Sequence, residues 1–448
     1  MLLVYLIVIF YGTFLLAISF IIQGRQFSII DTFAISTSAF TVSGLWFAPT
    51  FDTTGLSLFG QIVLFGIFQI GGLSSFVLPV LFFQTILGGK LTLSEKMSLK
   101  NIFGNQYLSD VMPLIKRVLI YSFFIELVGT LLYLVRFATI YPLDQAIYYS
   151  VYHSASAFLN CGFTLFSDSY MGFQTDWYFN LVSIALIILG GLGFVVLTPL
   201  KDKIIALLLR RESKRFDLHT KIVLSMTLIL TILGMLAFFV FDASKMNLPL
   251  DNQILVSLFQ SVTARTAGFN TADFSVASNA TLFFFIVLMF IGAGPLSTSG
   301  GIKVTTFALA ILALWRVIKG KSKIELWNHA VPEGTLWAAI YLIIFSLIIT
   351  GSFYQILLIT ETNTIDPNGV AATPLRILFE LVSAVGNVGL STGPTVSLGA
   401  FFTDPGKIII ICAMLFGKLG PLTMISIFAR KKEVEESHLI EDQSITVG

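Results

Sequence analysis

The sequence predicts an all-α membrane protein made of four helix–re-entrant-loop–helix repeats, arranged pseudo-fourfold around one central pore. Three observations predict it. The 448-residue chain is 56% hydrophobic and 12% charged, with a mean hydropathy of +0.88. Soluble domains carry roughly twice that share of charge. Seven apolar runs, at 2–23, 113–135, 178–200, 221–241, 281–293, 336–360 and 405–429, approach or exceed the ~20 residues that cross a hydrocarbon core. Four glycine turns recur: Thr41-Val42-Ser43-Gly44-Leu45, Asn160-Cys161-Gly162-Phe163, Thr266-Ala267-Gly268-Phe269 and Asn387-Val388-Gly389-Leu390. Their glycines are 118, 106 and 121 residues apart, and a fixed long period marks a repeated structural unit.

The units follow in order. Unit 1, residues 1–90, opens with the run 2–23. That run has no charged leader and no small-residue cleavage site, so it reads as a spanning helix rather than a signal peptide. A short mixed segment, 32–40, then leads into the first turn. Unit 2, 91–210, has the run 113–135, the short segment 149–158, the second turn and the run 178–200, with Trp177-Tyr178 where amphipathic rings prefer to sit. Unit 3, 211–325, has the run 221–241, the short segment 255–263, the third turn and a broken second helix. Unit 4, 326–432, has the run 336–360, the short segment 378–385, the fourth turn and the run 405–429. Residues 433–448 form a C-terminal cytoplasmic tail.

The short segments have the length of re-entrant helices. Irregular backbone at membrane depth is tolerated only where protein buries it or where it lines a watery cavity. Four such turns in one chain therefore point to a shared pore. Their backbone carbonyls (Val42, Ser43, Gly44; Asn160, Cys161, Gly162; Thr266, Ala267, Gly268; Asn387, Val388, Gly389) could coordinate a dehydrated monovalent cation. A re-entrant helix entering from outside also aims its negative C-terminal end at the membrane centre.

In unit 3, Gly292-Ala293-Gly294-Pro295-Leu296-Ser297-Thr298-Ser299-Gly300-Gly301 interrupts an apolar stretch that resumes helically at Ile302–Trp315. Glycine and proline unwind a helix. No charged loop intervenes, so the segment reads as a flexible intramembrane loop placed under the third turn.

Charge placement sets the orientation. Lys and Arg cluster at Lys90, Lys96, Lys100, Lys116 and Arg117, at 201–221, at Arg316–Lys323 and at Arg430–Lys432. The loops with the glycine turns are acidic: Asp31, Asp52, Asp144, Asp168, Asp176, Asp251, Asp273, Asp366 and Asp404. Basic loops stay in the cytoplasm, so the turns face outside. The acidic residues have two readings, ordinary solvated loops or a cation-concentrating rim.

Arg265, Lys303 and Lys418 lie within membrane segments, where charge is costly and faces a polar interior. Arg265 adjoins the third turn, with Glu380 as its expected brace. Lys418 either stands in the ion path or snorkels to the interface. Glu126 is the intramembrane acid placed to neutralise a neighbour. His153 and His219 read as structural. Cys161 and Cys412 give no disulfide framework. HExxH pairs, an Asp dyad at membrane depth, a dinucleotide fingerprint and a phosphate loop are all missing, so the chain does not read as an enzyme.

These motifs carry a family resemblance. The chain resembles the membrane subunits of the Trk/Ktr/HKT superfamily of potassium transporters, and is most similar to the bacterial Ktr type. The turns, together with Ser156-Ala157-Phe158, Arg265, Asn270, the 292–303 stretch and Gly417–Thr423, span nearly the whole chain in the family's order. The resemblance implies K⁺ uptake across the cytoplasmic membrane through a filter of backbone carbonyls. It implies Na⁺ as a coupling or activating ion, and a gate formed by Gly292, Ala293, Gly294, Pro295, Ser297, Thr298, Gly300 and Gly301 with Lys418. It also implies a homodimer contacted through the tail at Ser444–Gly448, and a separate cytoplasmic nucleotide-binding regulatory ring docking on 201–221 and Arg316–Lys323. A less selective Na⁺ or other monovalent-cation channel of the same fold is the alternative. Departures from the family pattern are Leu159 and Cys161 in the second turn, Pro295 and Leu296 in the loop, and Lys418 where relatives carry arginine. The last keeps the charge but loses the planar fork.

Overall fold

Helix α1 (Leu2–Ile22) buries Tyr5, Ile9, Gly12, Leu16 and Ser19 along one stripe, the spacing of a single helical face. Its other faces expose Leu3, Ile7, Phe10, Phe14 and Ile21. Apolar side chains on both sides of a helix mark a face turned to lipid. The structure, a computed structural model, describes residues 2–50, 52–86, 111–212, 215–320, 324–327, 329–362, 364, 371–393 and 396–421. Lys90, Lys96, Lys100, Lys323, Asp366, Thr423, Arg430–Lys432 and the tail 433–448 lie outside the described residues.

The chain continues with α2 (Ile29–Thr41), α3 (Leu58–Ile86), α4 (Val111–Phe137), α5 (Leu143–Phe158), α6 (Trp177–Leu192) and α7 (Phe194–Leu208). Then follow α8 (Leu218–Phe241), α9 (Leu250–Thr263), α10 (Asn279–Phe290), α11 (Val304–Ile318), α12 (Glu333–Glu361), α13 (Pro374–Gly386) and α14 (Asp404–Leu419). Between α11 and α12 lies a minimal antiparallel hairpin, β1 (Glu325–Leu326) and β2 (His329–Ala330), with Glu325 opposite Ala330. Among the described residues, α1, the 116–137 part of α4, α8 and α12 contain stretches long and apolar enough to cross a membrane.

One apolar run differs from its reading in sequence, and one helix falls outside those runs. The run 178–200 is not one straight helix: α6 and α7 meet at Gly193 with a bend of 117°. Gly193 has φ +86°, and a Cβ there would collide with the Pro295 carbonyl oxygen. The bend therefore wraps the broken segment of unit 3. Helix α3 occupies 29 residues that the seven apolar runs omit. It is an apolar helix like the others, and Leu64, Phe68 and Leu73 bury against the core.

Helices α2, α5, α9 and α13 are the short ones that end on the glycine turns, with 13, 16, 14 and 13 residues. At ~1.5 Å per residue they reach only ~20–24 Å, less than a ~30 Å hydrocarbon core. Ser28 and Thr373 cap α2 and α13 through side-chain bonds to Ile30 N and Arg376 N. Asp31, Asp144 and Asp251 stand in the first turns of α2, α5 and α9, where a carboxylate offsets the positive end of the helix. Asp52, Asp176 and Asp273 each accept backbone N–H bonds at a helix start. Much of the acidic character of these loops is thus spent on starting helices.

The first three short helices dock on their long partners by one repeated device. Ser36 Oγ donates to Ile9 O (2.8 Å), Ser154 Oγ to Glu126 O (2.6 Å) and Ser261 Oγ to Thr231 O (2.7 Å). Three residues after each of those carbonyls stands a glycine: Gly12, Gly129 and Gly234. A Cβ on any of them would press on the same serine hydroxyl. Glycine admits close approach and the serine supplies the bond, as small-residue packing in membranes requires.

Candidate ion-coordinating site

The four turns share one backbone conformation. The residue two before each glycine is left-handed: Val42 (φ 61°), Asn160 (57°), Thr266 (78°) and Asn387 (51°). The glycines are left-handed as well: Gly44 (75°), Gly162 (77°), Gly268 (80°) and Gly389 (96°). Only glycine adopts that region freely. In units 1, 2 and 4 the helix closes by a bond reaching back five residues: Ser43 N to Ser38 O, Cys161 N to Ser156 O and Val388 N to Ser383 O, all 2.8 Å. This is the Schellman closure that satisfies terminal carbonyls. The third turn differs. Ala267 N reaches Thr263 O four residues back at 3.0 Å, the five-residue bond to the same carbonyl comes from Gly268 N itself at 3.4 Å, and its docking serine lies one residue nearer the glycine than those of units 1 and 2.

The turns abut in a closed cycle. A Cβ on Gly44 would collide with the Cys161 carbonyl oxygen, and one on Gly162 would lie 2.9 Å from the Ala267 oxygen. One on Gly268 would collide with the Val388 oxygen, and one on Gly389 with the Ser43 oxygen. Each glycine thus faces the carbonyl that precedes the glycine of the next turn, and the fourth returns to the first. Contacts flanking the turns repeat the order: Thr53 Oγ1 donates to Thr164 O (2.5 Å), Asn270 N to Ser169 Oγ (3.0 Å), Arg376 Nη2 at the start of α13 to Ser275 O (2.7 Å) and Trp46 N to Ser397 Oγ (2.8 Å). Tyr170 stacks on Phe269 with ring centres 4.5 Å apart.

Two asparagines hold opposite turns in the same way. Asn387 donates its amide to Ala384 O (3.3 Å) and to Met414 O of α14 (2.9 Å), and also to Ser43 Oγ (2.8 Å). Asn160 donates to Ala157 O (3.0 Å) and to Ile187 O of α6 (3.2 Å), leaving its amide oxygen to accept from Ser299 Oγ at 3.0 Å. Glycines in the following helices let them approach: a Cβ on Gly71, Gly190 or Gly417 would collide with the carbonyl of Phe40, Phe158 or Val385, each four residues before a turn glycine.

The 292–301 segment is a stitched loop. Gly292 N donates to Ile302 O (2.7 Å) and Val304 N to Ala293 O (3.2 Å), closing its neck. Gly294 N donates to Gly191 O (2.8 Å), Phe194 N to Leu296 O (3.1 Å) and Thr298 Oγ1 to Gly190 O (3.4 Å), tying it to the α6–α7 bend. Ser297, Thr298 and Ser299 are buried, and Pro295 is partly exposed. Lys303 Nζ caps the Ser299 and Gly300 carbonyls at 2.6 and 3.4 Å. Lys418 Nζ donates to Thr298 O at 3.3 Å and is buried. Lys418 therefore does not snorkel; it points inward onto the loop.

Other intramembrane polar residues take partners that sequence did not name. Arg265 donates to Thr231 Oγ1 (2.7 Å). Glu380, expected as its brace, accepts instead from Ser391 Oγ (2.7 Å) and Gly399 N (3.0 Å), holding the strand beyond the fourth turn. Among the described residues Glu126 meets no cation: Gln69 Nε2 donates to both its oxygens, at 3.1 and 2.9 Å. His153 is structural, as expected. Its Nδ1 bonds Tyr149 O (2.7 Å), its Nε2 accepts from Leu165 N (3.2 Å), and Phe166 stacks on the ring.

Buried glycine turns that end short helices, within a bundle whose longer helices are apolar enough to cross a membrane, define a membrane protein. The comparisons name the family. Residues 4–439 match TrkH, cation transport protein. Over 413 residues the chain is 36% identical to the Ktr system potassium uptake protein B of Bacillus subtilis (strain 168), covering 91% of this chain and 88% of that protein. It is 30% identical over 448 residues to the potassium/sodium uptake protein NtpJ of Enterococcus hirae, covering 99% and 95%. The crystal structure of the potassium transporter TrkH from Vibrio parahaemolyticus has the same fold, with a TM-score of 0.68 at 18% identity, covering 95% of this chain and 84% of that one. The chain belongs to the TrkH family of cation transport proteins, a transporter family and not an enzyme family.

Proposed function

We propose that this protein takes up K⁺ across the cytoplasmic membrane through a pseudo-fourfold filter of backbone carbonyls, gated by the 292–301 loop. The observation that carries this reading is the cyclic abutment of the four left-handed glycine turns. The carbonyls around Gly44, Gly162, Gly268 and Gly389 replace the hydration shell of a monovalent cation. The re-entrant helices add their negative ends to the same place. The four units fall at 1–90, 91–210, 211–325 and 326–432, with the filter loops outside by the placement of basic residues. Lys418 lays a fixed positive charge against the loop, so the closed loop carries both a steric and an electrostatic obstacle. The relatives are named as potassium uptake proteins, which supports K⁺ as the ion.

A second reading, K⁺ with Na⁺ as coupled or co-transported ion, is favoured by the similarity to NtpJ, a potassium/sodium uptake protein by name. A homodimer and a cytoplasmic nucleotide-binding regulatory ring docked on the basic loops complete the proposal. The test is ⁸⁶Rb⁺ uptake by the full chain in lipid vesicles, with K⁺, Na⁺ and no added competitor. K⁺ competing far better than Na⁺ supports a potassium filter. Equal competition replaces it with the nonselective cation channel, and Na⁺-stimulated uptake supports the coupled reading.

A further inference from the structure

Ser299 is the point where the loop touches a turn. All three of its polar groups are engaged: its N–H donates to Ser297 Oγ (3.4 Å), its carbonyl accepts from Lys303 Nζ (2.6 Å), and its hydroxyl donates to Asn160 (3.0 Å). Asn160 stands directly before Cys161, whose carbonyl faces Gly44 of the neighbouring turn. The other two bonds of the Asn160 amide go to Ala157 and to Ile187 of α6. Three residues beyond Ile187 begins the Gly190–Gly191 carbonyl pair that also holds Thr298 and Gly294 of the loop. The loop and the second turn are therefore anchored to one stretch of α6 and joined directly through a single hydroxyl.

The opposite turn lacks the equivalent bond. Asn387 repeats the geometry of Asn160, but its Oδ1 is buried without a partner. The loop residue beside it is Gly300, whose missing side chain is what makes room for that oxygen. Contact between loop and turns through these amides is thus one-sided.

We propose that Ser299 is a specificity-determining positioning residue. Its hydroxyl sets the orientation of the Asn160 amide, and through it the Cys161 carbonyl, so that displacement of the loop changes ion discrimination as well as flux. The mechanism is differential. A bond from loop to turn exists when the loop is seated and is lost when it leaves, so the second turn has two carbonyl arrangements. Left-handed Asn160 is held by three side-chain bonds, and removal of one frees the amide to rotate.

The inference rests on the carbonyl-filter reading, and its experiment separates the two. Full-length protein in vesicles is assayed for ⁸⁶Rb⁺ and ²²Na⁺ uptake in wild type, Ser299→Ala, Ser299→Thr, Asn160→Gly and the Ser299→Ala/Asn160→Gly pair. Asn160→Gly keeps the left-handed backbone and removes the amide. The expected result is a several-fold shift of the Rb⁺/Na⁺ ratio in Ser299→Ala, recovery in Ser299→Thr, and no further shift when Ser299→Ala is added to Asn160→Gly. A wild-type ratio in Ser299→Ala, whatever its flux, overturns the proposal, as do shifts that simply add in the pair. If Ser299→Ala does not fold, Ser299→Gly provides the same deletion and is read in the same way. Absence of Rb⁺ uptake by wild type overturns the uptake reading instead.

Discussion

Lys407 Nζ lies 2.5 Å from Asp31 Oδ1, a buried ion pair between residues 376 positions apart. Asp31 stands in the first turn of α2 and Lys407 in the first turns of α14. The pair joins α2 to α14, along the seam where Trp46 N donates to Ser397 Oγ and Ser397 N to Trp46 O. It lies on the same side as the contact between the first and fourth glycine turns.

Lys407→Met should therefore destabilise the protein by about 3–5 kcal/mol, because it strands the Asp31 carboxylate in a buried place. The double change Asp31→Asn/Lys407→Met should recover most of the loss, since no uncompensated charge remains. Thermal unfolding of the purified proteins in detergent measures both. Equal losses in the single and double variants would show that the pair contributes through packing rather than charge.

Gly268→Ala should impair Rb⁺ uptake more than it impairs folding. A Cβ at φ +80° costs about 1–2 kcal/mol in backbone strain, and it would collide with the Val388 carbonyl of the next turn. In the proposed filter, the displaced oxygen is one that coordinates the ion. Melting temperature and Rb⁺ uptake, measured on one preparation, separate the effects. Wild-type uptake would remove the third turn from the filter.

Lys418→Ala should raise flux, because it removes both the bond to Thr298 O and the positive charge against the loop. A unit charge 4 Å from a cation contributes on the order of 4 kcal/mol at intermediate dielectric. Lys418→Arg keeps charge and donors and should transport like wild type. Uptake rates in vesicles with equal protein content decide this. Identical flux in all three proteins would leave Lys418 a packing residue.

Deleting Leu296-Ser297-Thr298 should increase uptake. The deletion removes the Phe194–Leu296, Thr298–Gly190 and Lys418–Thr298 bonds that seat the loop, while the neck at Gly292–Ile302 remains. A fall in flux matched by a fall in folded protein would make the loop a connector and place the gate elsewhere.

What sequence determines here is local. A glycine that must be left-handed, an apolar run of spanning length and a short helix ahead of a turn are each set by residues close in the chain. Composition and spacing accordingly show the membrane class, the four turns, the short helices α2, α5, α9 and α13, and the broken helix between Phe290 and Val304. What only the tertiary structure decides is partnership. Hydropathy cannot say that Arg265 goes to Thr231 rather than Glu380, that Glu126 faces Gln69, or that Lys418 turns inward. Gly193 permits a break locally, but neither the direction of the 117° bend nor the Ser299–Asn160 bond has a local signal, because both answer to the loop packed against α6. Buried polar groups must find partners, but which partner lies within 3 Å is fixed by how distant helices cross, and no window along the chain contains that information.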